Sequence, residues 1–204
     1  LQSVIEFIGT FAFALSGIRL AATKHYDWLG GFVCGVAVAI GGGTIRDVML
    51  GQTPFWMSSP IYLLFTLLAQ LVVIVCHHYL KRLDNTWFLF DTLGLALFNI
   101  AGIQKTLDCG FPFWVAIIMG CITGSFGGVI RDVLLNEEPV IFRKEIYAMA
   151  CVIGGLVYWG FSCLDVSLYV TVVASFVTVC AIRLLAVKYH ISLPTLRDEE
   201  ETDN

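Results

Sequence analysis

Charge is what this chain has least of: 14% of its 204 residues are Asp, Glu, Lys or Arg and 58% are apolar, where soluble domains carry about 25% charged residues. With a mean hydropathy of +0.83, that shortage excludes an ordinary soluble domain and implies an integral membrane protein. Clustered lysine and arginine are lacking too, so no nucleic-acid partner is expected. The net charge of -4 comes largely from the terminal run Asp198-Glu199-Glu200-Glu201-Thr202-Asp203 and says little about the body of the chain. No CxxC occurs. The 7 cysteines, at 34, 76, 109, 121, 151, 163 and 180, are scattered through apolar stretches as small buried hydrophobes are, which argues against disulfides or a zinc site. Cys76-His77-His78 sits at a span end beside Lys81-Arg82 and reads as interfacial histidines. There is no Ser/His/Asp set, no HExxH, and no phosphate loop, because Gly41 to Gly43 lacks the lysine of one. No enzyme activity, metal or cofactor is expected.

What the chain does have is apolar runs. A span needs about 20 mostly apolar residues, and candidates lie at 2 to 21, 28 to 50, 60 to 80, 86 to 104, 112 to 135, 145 to 163 and 166 to 187. The opening run, Leu1-Gln2-Ser3-Val4, has no basic n-region or small-residue cleavage site and is read as a first membrane helix. Breakers fall in the gaps, with Thr53-Pro54, Ser58-Ser59-Pro60, Gly110-Phe111-Pro112 and Glu137-Glu138-Pro139. Trp28, Trp56, Trp87, Trp114 and Trp159 mark presumed interfaces. Arg19, Lys24, Lys81, Arg82, Arg143, Lys144, Arg183, Lys188 and Arg197 fall at one face and Lys105 at the other, so the N-terminus is expected outside and the C-terminus in the cytoplasm.

One stretch interrupts the apolar pattern and then returns. Gly41-Gly42-Gly43-Thr44-Ile45-Arg46-Asp47 in the second span is matched by Gly127-Gly128-Val129-Ile130-Arg131-Asp132 in the fifth, an offset of 85 from Gly42 to Gly127. At the same offset Glu6, Gly9, Phe13, Gly17 and Ile18 align with Asp91, Gly94, Phe98, Gly102 and Ile103. Gly35 aligns with Gly120, Tyr62 with Tyr147, and Pro54 with Pro139. The expected fold is therefore all-α and transmembrane, with seven helices. Residues 1–82 form a first three-helix repeat, 86–164 a second, 166–190 a seventh helix used as a brace, and 191–204 a polar tail. Three spans is an odd number, so the second repeat enters the membrane inverted, and helices two and five meet near the midplane about a pseudo-two-fold axis.

Gly31, Gly35, Ala39 and Gly43 recur every fourth residue, as do Ala116, Gly120, Gly124 and Gly128, a small-residue stripe for close helix packing. The extra Gly41, Gly42 and Gly127 exceed that need and predict a bend or an unwound turn that exposes peptide dipoles. Carbonyls freed there, with the hydroxyl of Thr44, would replace part of a cation's hydration shell. Arg46/Asp47 and Arg131/Asp132 read either as a structural lock crossing between repeats or as acids that attract cations beside arginines that gate the bore. Glu6 and Asp91 read as rings at the two mouths or as first-turn acids favoured by the helix dipole. Asn99 serves an interhelical hydrogen bond or the pore lining.

These paired GG-x-IRD elements, in two three-span repeats plus a seventh span, resemble the trimeric intracellular cation (TRIC) channel family in its prokaryotic branch, over essentially residues 1–187. The resemblance implies a homotrimer in the bacterial inner membrane, helices two and five kinked at their glycines, and a hydrophilic pore within each protomer passing potassium or another monovalent cation such as sodium. Carried onto this chain, the pore positions are Gly41, Gly42, Gly43, Thr44, Gly127 and Gly128, beside the charged pairs. Animal members carry a Lys-Glu-Val element where this chain has Gly-Gly-Thr-Ile-Arg-Asp, so phosphoinositide binding and calcium-release coupling are not carried over. Bacterial relatives also go under a glycine-transporter name, and the alternative function is a secondary carrier of a small amino acid such as glycine.

Overall fold

The computed structural model describes residues 1–76, 86–143 and 146–191. His77, His78, Lys81, Arg82, Lys144, Arg197 and the acidic tail lie outside the described residues. The described chain forms seven α-helices: α1 (Gln2–Thr23), α2 (Trp28–Met49), α3 (Ile61–Val75), α4 (Thr86–Asp108), α5 (Phe113–Leu134), α6 (Ala148–Cys163) and α7 (Leu168–Lys188), with 3₁₀ turns at Phe55–Ser58 and Val140–Phe142. α1, α2, α4, α5 and α7 are long and apolar enough to cross a membrane. α3 and α6 are shorter than the sequence suggests, at 15 and 16 residues. In each repeat a proline and a 3₁₀ turn stand in the gap ahead of the third helix.

Helix ends follow local chemistry. Asp27 caps α2 by accepting a 2.7 Å hydrogen bond from the Gly30 N–H. Left-handed residues close the helices, Gly51 and its repeat mate Asn136 after α2 and α5, His25 and its mate Gly110 after α1 and α4. The loop after α5 is tied to the α1–α2 loop by an ion pair of Lys24 with Glu137, which also meets Arg143 at 3.5 Å. The Lys24 hydrogen bond holds the Glu137 carboxyl below its ordinary range.

The two repeats interlock about α1 and α4, the most enclosed of the long helices. Phe13 and Phe98, repeat mates, stack with ring centroids 5.3 Å apart and planes 9° from parallel. A methyl built on Gly9 would stand 3.1 Å from the Phe98 ring, and one built on Gly94 would run into Phe13. Contact of 9 with 98 and 94 with 13 is the signature of an antiparallel pair related by a two-fold axis. The same holds at the crossing of α2 and α5. A Cβ on Gly42 would run into the Thr123 carbonyl oxygen, and one on Gly127 would lie 2.7 Å from that of Val38, which is the mate of Thr123.

This crossing corrects one expectation. α2 and α5 run as α-helix straight through Gly41–Thr44 and Gly127–Gly128, without an unwound turn. The glycines are spent on contact. Gly35 and Gly120 let Ile18 of α1 and Ile103 of α4 close in, while Gly42 and Gly127 on a second face admit the backbone of the opposite repeat. Peptide groups that keep their intrahelical partners gain packing at no hydrogen-bonding cost. A side chain at Gly41 would meet only the tip of Ile130, which can turn aside, whereas Gly42 faces backbone. Gly42→Ala should therefore cost about 1–3 kcal/mol in reversible unfolding and Gly41→Ala less than about 1 kcal/mol. Equal losses would contradict the backbone contact.

Candidate functional site

Buried charge defines the site. Arg46 and Asp47 end the apolar part of α2, but neither guanidinium nor carboxylate turns out to the membrane surface; both side chains are fully enclosed. Arg46 Nε donates to Asp47 Oδ1 at 2.8 Å and Nη2 to Glu6 Oε1 at 3.3 Å. Tyr62 donates its hydroxyl to Glu6 Oε2 at 3.1 Å, and Asp47 Oδ2 accepts the N–H of Phe55, the first residue of the 3₁₀ turn, at 2.7 Å. The second repeat rebuilds this set residue for residue. Arg131 Nε donates to Asp132 Oδ1 at 2.8 Å and Nη1 to Asp91 Oδ1 at 2.5 Å. Tyr147 donates to Asp91 Oδ1 at 3.3 Å, and Asp132 Oδ2 accepts from Val140 N–H at 3.0 Å.

The lock thus closes within each repeat, and the expected crossing of Arg46/Asp47 onto Arg131/Asp132 does not occur. An arginine and the next residue's carboxylate can meet directly, and α1 or α4 brings the second acid alongside. Glu6 and Asp91 are buried partners of these arginines and not first-turn dipole acids, since they lie beyond the first turn of α1 and α4. The cross-repeat contacts are others: Arg131 Nη1 to the Ser16 hydroxyl at 2.8 Å, and Lys105 Nζ to Asp47 Oδ1 at 3.5 Å.

Each cluster holds two carboxylates against one guanidinium, and each receives its second cation from a different place. Lys105 comes from the end of α4 to the Asp47 cluster. Arg183 comes from α7 to Asp91, 3.6 Å from Oδ2, lying over the rings of Phe88 and Tyr147 at 4.7 and 4.6 Å. The Glu6 side opens into a cavity of about 350 Å³ lined by Ser3, Glu6, Tyr62, Lys105 and Asp108. On the Asp91 side α7 packs against α4 and α6, and its Arg183 occupies the approach. Buried N–H groups without protein partners remain on both arginines, Arg46 Nη1 and Arg131 Nη2, and the hydroxyls of Thr10 and Thr92 and Asn99 Oδ1 are likewise unmatched.

Among the other residues singled out by sequence, Gly42, Gly43, Gly127 and Gly128 are buried against protein atoms, while Gly41 and Thr44 are partly exposed. The Thr44 hydroxyl donates to Ile40 O at 2.7 Å and accepts from the Trp56 indole at 3.1 Å. Asn99 Nδ2 bridges α4 to the Cys151 carbonyl of α6 at 3.2 Å. Sequence reasoning passed over Tyr62, Tyr147, Phe55 and Val140 as site members, although Pro54 and Pro139 recur at the repeat offset directly before the two amides that bind the acids. It also passed over Lys105 and Arg183, which have no mates to flag them. Among the described residues no group of three or more His, Cys, Asp or Glu is placed to hold a metal.

An inverted pair of three-helix repeats braced by a seventh helix, with a buried Arg–Asp lock in each half, defines a membrane protein of the TRIC channel type. A family model described as "Glycine transporter" matches residues 3–78 and again 88–162. The UPF0126 inner membrane protein YadS of Escherichia coli strain K12 is 40% identical over 203 residues, covering 96% of each chain. A UPF0126 membrane protein of Vibrio cholerae is 39% identical, covering 94% of this chain and 81% of the relative. Among solved structures, the TRIC orthologue from Rhodobacter sphaeroides superposes with a TM-score of 0.88 at 30% identity, covering 93% of this chain and 98% of that one. A structure bearing on conductance through TRIC cation channels gives 0.83 at 35% identity, with 97% and 98% covered. The chain belongs to this family, the prokaryotic TRIC and glycine-transporter-domain membrane proteins.

The asymmetry of the locks gives a stability prediction. Asp91 answers two buried guanidinia and Glu6 one, so Asp91→Asn should cost about 3–5 kcal/mol, the scale for breaking a buried pair, and Glu6→Gln measurably less. Thermal unfolding in detergent compares them, and a costlier Glu6→Gln would contradict the assignment.

Proposed function

We propose that this protein is a cation channel of the bacterial inner membrane, passing potassium and other monovalent cations through a path inside each protomer, beside the crossing of α2 and α5. The observation that carries the reading is the matched pair of buried, unpartnered guanidinium N–H groups, Arg46 Nη1 and Arg131 Nη2. A polar group left unpaired in hydrocarbon costs several kcal/mol, which favours a conducting conformation in which water reaches both clusters. On the Glu6 side the second countercharge is Lys105, a partly exposed lysine that a permeant cation can replace beside the carboxylates. Gly41, Gly42, Gly43, Thr44, Gly127 and Gly128 lie on the segment between the clusters. The backbone contact of Gly42 with Thr123 shuts this segment in the conformation described, and conduction requires α2 and α5 to part there. Gly42 and Gly127 permit that movement because they put no side chain of their own into the contact.

A homotrimer of such protomers fits the family. Lys24, Arg143 and Lys188 lie toward one end and Lys105 toward the other, which supports an outer N-terminus and a cytoplasmic C-terminus. The shut crossing between two polar mouths also favours a second reading, a carrier of a small amino acid such as glycine working by alternating access; the family model's description points the same way.

Purified protein in a planar bilayer under a KCl gradient should give unitary currents that reverse toward the potassium potential. Glu6→Gln, which removes a carboxylate from the open mouth, should lower the unitary conductance by roughly two- to five-fold, the effect of losing about 0.5–1 kcal/mol of attraction. Absent currents together with saturable glycine uptake into liposomes would replace the channel by the carrier.

A further inference from the structure

A second cavity, of about 490 Å³, lies away from the charged clusters, between the end of α1, the start of α2 and α3. Its floor is apolar, with Ile18 and Val73, and Ile74 carries that apolar surface out to the membrane-facing side. Its rim is the α1–α2 connection, Tyr26-Asp27-Trp28, which is exposed. Among the described residues, Asp27 is the only carboxylate that lines the cavity, and no described lysine or arginine lines it. Gln70 stands in its wall, 7% exposed. Its Nε2 donates to the Trp28 carbonyl at 3.3 Å, while its Oε1 is buried without a hydrogen-bond partner. This leaves an acceptor within a turn of a carboxylate and two aromatic rings, over an apolar slot at the level where helix ends meet the headgroup region.

We propose that this cavity binds a membrane phospholipid with a primary ammonium headgroup, of the phosphatidylethanolamine type, one acyl chain lying along Val73 and Ile74. The occupant is set by charge and by hydrogen-bond direction. An ammonium offers a positive charge to Asp27 and to the faces of Tyr26 and Trp28, and N–H donors to Gln70 Oε1 and the carboxylate. A choline headgroup has the charge and no N–H to donate. A phosphatidylglycerol headgroup has hydroxyl donors and no cation, and its net negative charge meets Asp27. The second repeat has a smaller cavity, of about 300 Å³, that shares Leu107 and Tyr158, the mates of Ala22 and Val73, but the mates of Asp27 and Gln70 are Pro112 and Gly155 and neither lines it. Gly155 stands where Gln70 stands in the first, with Ile117 and Ile103 packed at its face, and α7 covers α6.

The test is lipid retention by the full-length protein, which reads nothing from ion flux. Protein delipidated in detergent is offered phosphatidylethanolamine, phosphatidylcholine or phosphatidylglycerol of identical acyl chains and scored by native mass spectrometry. Phosphatidylethanolamine should be retained roughly five-fold over either competitor, the scale of one charge–aromatic contact. Asp27→Asn keeps the acceptor that caps α2 and removes the charge, and Gln70→Met removes the unpaired acceptor; each should bring the three lipids to within about two-fold of one another. Asp165→Asn, at a distant turn, should leave the preference unchanged. Equal retention of all three lipids by the wild-type protein overturns the proposal, and so does a preference that survives in both Asp27→Asn and Gln70→Met. Trp28→Cys protomers that cross-link to one another at that position would put a second copy in the cavity in place of a lipid and would overturn it as well.

Discussion

A guanidinium held inside an apolar slab keeps its charge and must be answered by carboxylates within hydrogen-bond reach, because desolvating it alone costs far more than any helix packing returns. Arg46 and Arg131 impose that condition twice, and much of the architecture serves it. α1 and α4 run through the centre of the molecule and bring Glu6 and Asp91 to the two arginines. The 3₁₀ turns after α2 and α5 exist where they do because their first amides, Phe55 N–H and Val140 N–H, bind the second oxygens of Asp47 and Asp132. Tyr62 and Tyr147, at the starts of α3 and α6, finish the job from the third helix of each repeat.

Between the locks the structure is held by proximity and not by charge. The stacked Phe13 and Phe98 rings and the glycine contact of α2 with α5 sit on one approximate two-fold axis, so each half is braced by the same surface of the other. Small-residue crossings of this kind gain dispersion without side-chain interlocking.

Symmetry ends at α7. The first repeat leaves Glu6 facing a cavity, with the partly exposed Lys105 as the second countercharge of the cluster, whereas the second receives Arg183 from a helix that has no mate. The two charged clusters of an otherwise symmetric molecule therefore differ in the cation that completes them. A flexible, partly exposed lysine yields to a competing cation more readily than an arginine lying over two aromatic rings.

Much of this was legible in the residues. The offset of 85 shows two copies, the odd number of spans makes them inverted, and the shortage of charge puts them in a membrane. All three are properties of order along the chain, which a linear reading preserves. The unwound turn expected at Gly42 and Gly127, by contrast, does not form. Two glycines weaken a helix in isolation, and only the partner backbone arriving at Thr123 and Val38 turns that weakness into a close crossing. The same holds for Arg46, whose lock closes within its repeat and not across to the other because α1 places Glu6 beside it. The sequence by itself determined the copies, their inversion and the residues that had to be neutralised. Tertiary structure decided which carboxylate neutralises which arginine and where two helices touch, because those answers depend on distances between segments far apart in the chain.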